Sequence, residues 1–199
     1  MRVLIIGATG TIGEAVVGEL GPRHDILTAG RNSGDLRVDI TSLDSIKALF
    51  EHAGRVDAVV SATGKVKFAP LEAMTAADYE IGLKDKLMGQ VNLVLVGRAF
   101  VSEGGSFTLT SGVLDQDPIR QGSSASMVNG AVNAFVMAAA IELGRGQRIN
   151  AVSPTVIEEA MEGYAAFFRG FQPVPAARAA LAYAKSVEGA QTGQVYRVL

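Results

Sequence analysis

The chain has 199 residues, 48% of them apolar and 19% charged, with a formal net charge of -2. That length and balance fit one globular domain over residues 1–199 and give no general attraction to nucleic acid or an anionic membrane. Cysteine is absent and His24 and His52 are the only histidines, which excludes disulfides, thiolate metal sites, cysteine nucleophiles and histidine-rich metal centres, so no metal site is expected.

The first strand begins at Arg2-Val3-Leu4-Ile5-Ile6-Gly7, so no leader is expected ahead of the fold. From there short β-branched runs alternate with longer helical patterns. Strands are predicted over 3–6, 25–29, 36–38, 58–61, 106–110, 149–152 and 195–198. Helices are predicted over 11–20, 43–53, 76–102, 124–143, 157–168 and 176–186. Most strands are continuous apolar runs, as strands buried on both faces are. The pattern is that of an α/β fold, a doubly wound parallel sheet of about seven strands with helices on both faces. The longest strongly apolar stretch, 91–101, contains Arg98 and is too short to span a bilayer. A cytoplasmic location without membrane attachment is the expectation.

Two helices carry more apolar surface than a sheet needs. Leu87, Val91, Val94 and Leu95 form one stripe of the segment 76–102, and Leu93, Val96 and Phe100 widen it. The segment 124–143 presents Val128, Val132, Phe135 and Val136 before Ala138-Ala139-Ala140. Helices apolar most of the way round are normally buried twice, so a homodimer or homotetramer through these two helices is expected, with a crowded core as the alternative.

The sharpest local signal is Gly7-Ala8-Thr9-Gly10-Thr11-Ile12-Gly13, between the first strand and the first helix. Gly7 permits a tight turn, Gly10 removes a side chain that would block a pyrophosphate, and Gly13 lets helix pack on strand. The free N–H groups and the positive end of the helix then hold the anion. Glycine also suits strand-to-helix turns that bind nothing. At the end of the second strand, where an acidic residue would bind the ribose 2′-hydroxyl of NAD(H), the chain has Arg31-Asn32-Ser33, suited to a 2′-phosphate. NADP(H) is therefore favoured, with NAD(H) as the alternative. Asp39-Ile40 is read as the adenine contact, or as a cap for the helix at Thr41.

Several segments together resemble the short-chain dehydrogenase/reductase family over the whole chain. They are the glycine turn, Ser61-Ala62-Thr63-Gly64 after the fourth strand, Thr108-Leu109-Thr110-Ser111-Gly112, Arg148-Ile149-Asn150-Ala151-Val152-Ser153-Pro154, and Thr192-Gly193-Gln194-Val195-Tyr196. The resemblance implies a Rossmann fold, a nicotinamide cofactor bound by residues 7–13, 31–33, 39–40 and 61–64 with Pro154 and Val156, and Ser111 as a catalytic serine.

The resemblance breaks at the family's Tyr-x-x-x-Lys. One register puts Ser123 and Met127 at those positions and another puts Ala125 and Asn129; neither supplies tyrosine or lysine. The chain resembles a short subgroup that keeps the glycine motif and lacks the standard active-site residues. Lys86, where the family has an asparagine, is the candidate acid or electrostatic stabiliser, with a solvated ion pair to Asp85 or another neighbour as the competing reading. Ser111, Ser123 and Ser124 are the candidate hydroxyls. Beyond Pro154, Met161, Tyr164, Phe167, Phe168 and Phe171 form either an apolar lid or plain core, and nothing identifies the small-molecule substrate. The functional expectation is an NADP(H)-dependent oxidoreductase with a non-standard site, acting on a carbonyl, an alcohol or an activated acceptor such as a quinone. Its alternative is a non-catalytic dinucleotide-binding sensor or scaffold.

Overall fold

Val3, Leu4, Ile5 and Ile6 show no polar alternation because both faces of their strand are covered. The computed structural model describes residues 1–199 as a seven-stranded, wholly parallel sheet in the order β3-β2-β1-β4-β5-β6-β7. The strands are β1 (Arg2–Ile6), β2 (Asp25–Gly30), β3 (Leu36–Arg37), β4 (Val56–Ser61), β5 (Val101–Thr110), β6 (Arg148–Pro154) and β7 (Val195–Val198). Helices α1 (Thr11–Leu20) and α7 (Ala176–Glu188) cover one face through Val16, Leu20, Ala179, Ala180 and Tyr183. Helices α2 (Leu43–Ala53), α4 (Met88–Gly97) and α5 (Ser123–Glu142) cover the other through Phe50, Leu93, Val132 and Val136.

The predicted strand and helix order is the observed one, with two corrections. The segment 76–102 is not one helix. It is α3 (Ala76–Gly82), a π-helical turn over Leu83–Leu87, and α4, which ends at Gly97; Val101 and Ser102 already belong to β5. The segment 157–168 is not a regular helix either, holding only a 3₁₀ turn at Glu158–Ala160 and the single turn α6 (Met161–Tyr164). Helix α5 is long and apolar enough to cross a membrane by length and composition. The stretch first read as the longest apolar one is therefore not the relevant one. Ala125, Val128, Val132 and Val136 of α5 are buried within the fold, which accounts for one apolar face of it.

The chain leaves β1 toward β2 on one side and later returns to place β4 on the other. Such a reversal opens a crevice at the carboxyl ends of the strands, the place where ligands bind in open α/β sheets. Gly7 follows β1 there and Ala62 follows β4.

Candidate active site

The crevice has two adjoining cavities. The first, of about 340 Å³, is lined by Gly7, Thr9, Gly10, Arg31, Asn32, Ser33, Ile40, Ala62, Thr63, Lys65 and Asp85 among others. The glycines of the turn reach this arrangement for different reasons. Gly7 has φ +83°, and a Cβ there would sit 2.6 Å from the Ala62 carbonyl oxygen. Gly13 is enclosed by the backbone of Gly7 and Ala8, so a side chain there would push α1 off the turn. Gly10 meets nothing closer than 3.5 Å; its surroundings are open. No side chain caps α1 at Gly10, which leaves the N–H groups of the first turn for an anion. Packing thus explains Gly7 and Gly13 but not Gly10, and the open space at Gly10 fits a diphosphate. Thr9 and Ser33 join hydroxyls at 2.8 Å across the mouth.

Three residues of the cofactor set read from the sequence line neither cavity. Ala8 is buried in the core behind the turn, Gly13 is enclosed by backbone, and Ser61 is buried below the cavity floor with its hydroxyl unpartnered. Asp39 makes the capping contacts that were the alternative to an adenine contact. Its carboxylate accepts from the Thr41 N–H at 3.0 Å and hydroxyl at 2.7 Å, and from Arg31 Nη2 at 2.8 Å. These bonds, Thr41's first, hold its pKa below the usual carboxylate value. It caps the chain ahead of α2 and pairs with Arg31, while its neighbour Ile40 lines the cavity. Arg31 also lies 3.9 Å from Asp85 Oδ2. Asp85, unnoticed as a site residue, is buried and accepts from the Lys65 N–H at 2.8 Å.

The second cavity, of about 430 Å³, extends from Thr11 and Ile12 past Thr63, Gly64, Lys86 and Ser111 to Pro154, Thr155 and Val156, and ends among Phe68, Tyr164 and Phe168. Lys86 is its only charged lining residue. The π-helical turn explains how it arrives there. One extra residue in the helical ladder turns consecutive side chains to different tasks, and such turns recur at functional sites. Asp85 faces the first cavity and Lys86 the second. Gly64, at φ +143°, clears the path for the lysine stem, since a Cβ there would meet Lys86 Cγ at 2.6 Å. Lys86 Nζ donates to the Ser111 carbonyl oxygen at 2.9 Å, and no carboxylate pairs with it, Asp85 included. Burial alone lowers its pKa to about 8. Gln90, which the sequence reading passed over, locks the assembly. Its amide donates to the carbonyls of Lys86 and Thr110, both at 2.9 Å, and accepts from the Thr110 N–H at 2.8 Å. Ser111 follows directly, with its main-chain N–H held by the Val152 carbonyl and its hydroxyl 3.5 Å from the same oxygen.

At the start of α5, Ala125 and Asn129 line the second cavity. Ser123 and Ser124, the other candidate hydroxyls, line neither cavity. Helical rotation turns Ser123 to Tyr79, the two hydroxyls lying 2.8 Å apart, and turns Ser124 toward Gly82. Asn129 is buried, with Oδ1 unpartnered. Of the three tyrosines other than Tyr164, none lines the cavity with Ala125 and Asn129. Tyr183 is buried, its hydroxyl 2.6 Å from Thr110 Oγ1 and its pKa pushed up by burial; Tyr79 meets Ser123 and Tyr196 donates to Gln191. Tyr164 lines the far end of the cavity. Of the aromatic segment, Tyr164 and Phe168 line the cavity while Met161, Phe167 and Phe171 pack behind it. Val66 and Phe68, from the loop after β4, complete that end and carried no periodic signal in the sequence.

The profile of a family described as enoyl-(acyl carrier protein) reductase matches residues 21–198, beginning just beyond the glycine turn. The protein lin1944 from Listeria innocua has a solved structure that is 53% identical, with a TM-score of 0.99 and full coverage of both chains. A small-chain dehydrogenase solved in complex with NADPH is 24% identical, with a TM-score of 0.88 over 100% of this chain and 96% of that one. Among curated proteins, the hydroxynaphthalene reductase arp2 of Aspergillus fumigatus is 26% identical over 68% of this chain; the match spans 52% of that protein's length. The profile match, running over most of the sheet and both helical layers, establishes that the chain belongs to the short-chain dehydrogenase/reductase family.

Proposed function

We propose that the protein is an NADPH-dependent reductase in which Lys86, rather than a tyrosine, meets the negative charge that develops on a substrate oxygen. The observation that carries this reading is Lys86 itself, the only charged residue of a largely apolar cavity, bonded to a main-chain carbonyl and free of any carboxylate. A buried ammonium without a counter-ion is costly at rest and most useful when an anion forms beside it. Gly7, Thr9 and Gly10 would hold the diphosphate. Arg31, Asn32, Ser33 and Lys65 supply the cations and donors that favour a 2′-phosphate over a bare ribose. When bound, the cofactor supplies a hydride from its nicotinamide.

Lys86 has two tasks open to it. As an ammonium it offsets the oxyanion, and with a pKa near 8 it also gives a proton to an alkoxide, returning to neutrality as the alcohol forms. Ser111 and Asn129 add a hydroxyl and an amide on the same wall. Ala125 supplies no acid at the position where the family has its tyrosine. Substrates whose negative charge is already delocalised, such as quinones and conjugated enones, therefore suit the site best. The enoyl reductase description of the family profile is consistent with that chemistry. The missing tyrosine also favours the second reading, a cofactor-binding protein without turnover.

The test is NADPH oxidation with a quinone or an enone, compared between the natural protein and Lys86→Met. The expected loss in kcat/KM is roughly a hundred-fold or more, with NADPH affinity held within about two-fold. Full activity in the variant removes Lys86 from the reaction. NADPH binding without turnover of either acceptor class favours the sensor reading. We also propose that the chain self-associates, because Met88, Leu95, Met127, Met137 and Ile141 of α4 and α5 remain exposed in the single chain, Ile141 at 88%. No location other than the cytoplasm is proposed.

A further inference from the structure

The far end of the second cavity is a wall of rings contributed by two separate segments. Phe68 comes from the loop after β4, and Tyr164 and Phe168 come from the irregular segment after β6. Phe68 and Tyr164 stand edge to face with centroids 6.0 Å apart and planes at 69°. Tyr164 and Phe168 repeat the arrangement at 6.0 Å and 82°. Behind them Phe168 meets Phe171 at 5.2 Å and 75°. Along this run successive rings are steeply inclined, so positive edges and negative faces alternate; Phe167 stands apart from the series, tilted at 37° to Phe68. The base of the segment is pinned by the bridge between Ile157 and Val174, and Phe168 anchors it in a cluster with Val113, Leu114, Ala125 and Val156.

No carboxylate lines the cavity, and its one cation is held at the Ser111 carbonyl, not among the rings. The cavity therefore has a donor-rich, positive part at Lys86 and Ser111 and an apolar, aromatic part at Phe68, Tyr164 and Phe168. Resting on the hydride-transfer reading above, we propose that the substrate carries a flat aromatic ring seated against Phe68, Tyr164 and Phe168, with its reducible oxygen directed to Lys86. An aliphatic ring of similar size covers the same apolar area but lacks the quadrupole that continues the edge-to-face series.

Matched acceptors isolate that difference. Trans-5-phenyl-3-penten-2-one and trans-5-cyclohexyl-3-penten-2-one share an enone, keep the ring out of its conjugation by a methylene, and differ only in the ring. NADPH oxidation by the full chain gives kcat/KM for each. Calorimetric titration of the NADP+-loaded protein with the saturated ketones, 5-phenyl-2-pentanone and 5-cyclohexyl-2-pentanone, gives affinity without turnover. The phenyl compound is expected to be favoured roughly three- to ten-fold in both readouts. Phe168→Leu should bring the ratio close to one, with NADPH affinity reporting that the variant is folded. Phe68→Leu is the second variant, should the first fail to fold. Equal use of the two rings, a cyclohexyl preference, or a phenyl preference that survives both variants overturns the assignment. Cofactor binding without enone turnover, combined with tighter binding of the phenyl ketone, removes the hydride-transfer reading and leaves the ring site standing.

Discussion

The two sides of the crevice are built by different means. On the β1–β2 side the backbone makes the site: Gly7 turns at positive φ against the Ala62 carbonyl, Gly10 leaves space, and the first N–H groups of α1 have no cap. On the β5–β6 side the backbone only supplies a platform, and Lys86, Ser111, Asn129 and three aromatic rings make the site. A backbone-built site is written in glycine spacing and survives side-chain drift. A side-chain-built site changes character with one substitution, as when Ala125 stands where a tyrosine is expected.

The largest effect expected from this contrast lies within the glycine turn. Gly7→Ala combines a strained φ with a contact 2.6 Å from a carbonyl oxygen, and should lower stability by roughly 2–4 kcal/mol. Gly10→Ala has room for its methyl group and should lower stability by at most about 1 kcal/mol. In exchange it should weaken NADPH binding at least ten-fold, roughly 1.4 kcal/mol. Urea midpoints and calorimetric titration separate the two. A Gly10→Ala protein that binds NADPH normally would mean the turn is architecture only.

A smaller effect is expected from Arg31. Its guanidinium is engaged by Asp39 at 2.8 Å, so a 2′-phosphate must draw it from that partner. Arg31→Asp removes the cation and adds a third carboxylate beside Asp39 and Asp85. It should shift the NADPH-to-NADH affinity ratio toward NADH by roughly ten-fold. An unchanged ratio assigns Arg31 to the ion pair alone.

Lys86 links stability and activity with opposite signs. Its pKa is about 8 when folded and near 10.5 when unfolded. Between those values the unfolded chain holds the extra proton, so this group's contribution to stability rises with pH over that window. The charged form is lost over the same window, so kcat/KM should fall as pH passes about 8. Urea midpoints and rates from pH 7 to 10 check both slopes, and Lys86→Met should flatten both. A rate that keeps rising through pH 9 would assign the chemistry to the neutral amine.

How much of this was visible in the sequence follows the same division. The succession of strands and helices and the turn at Gly7 were legible because buried parallel strands and backbone-limited turns leave strong local marks. The break at Leu83–Leu87 was not, because apolar spacing on either side reads as one continuous helix. What sustains the break is tertiary: Asp85 holds the Lys65 N–H and Lys86 holds the Ser111 carbonyl, partners distant in sequence. The segment 157–168 was misread as helix because aromatic residues at helical spacing carry no mark of the Phe68 loop that packs on them.

The register of α5 is the finest point, and it yields the smallest prediction. Candidate registers two residues apart differ by about 200° around a helix, enough to carry a side chain from the cavity wall to the far side. Ser123 meets Tyr79 in this structure. Ser123→Ala should therefore lower stability by about 0.5–1.5 kcal/mol through the lost hydrogen bond, and leave both NADPH affinity and turnover unchanged. A ten-fold fall in kcat/KM with stability intact would place Ser123 at the substrate and rotate the start of α5. It would bring Met127, not Asn129, into the cavity beside Lys86, and the polar end of the site would lose its amide.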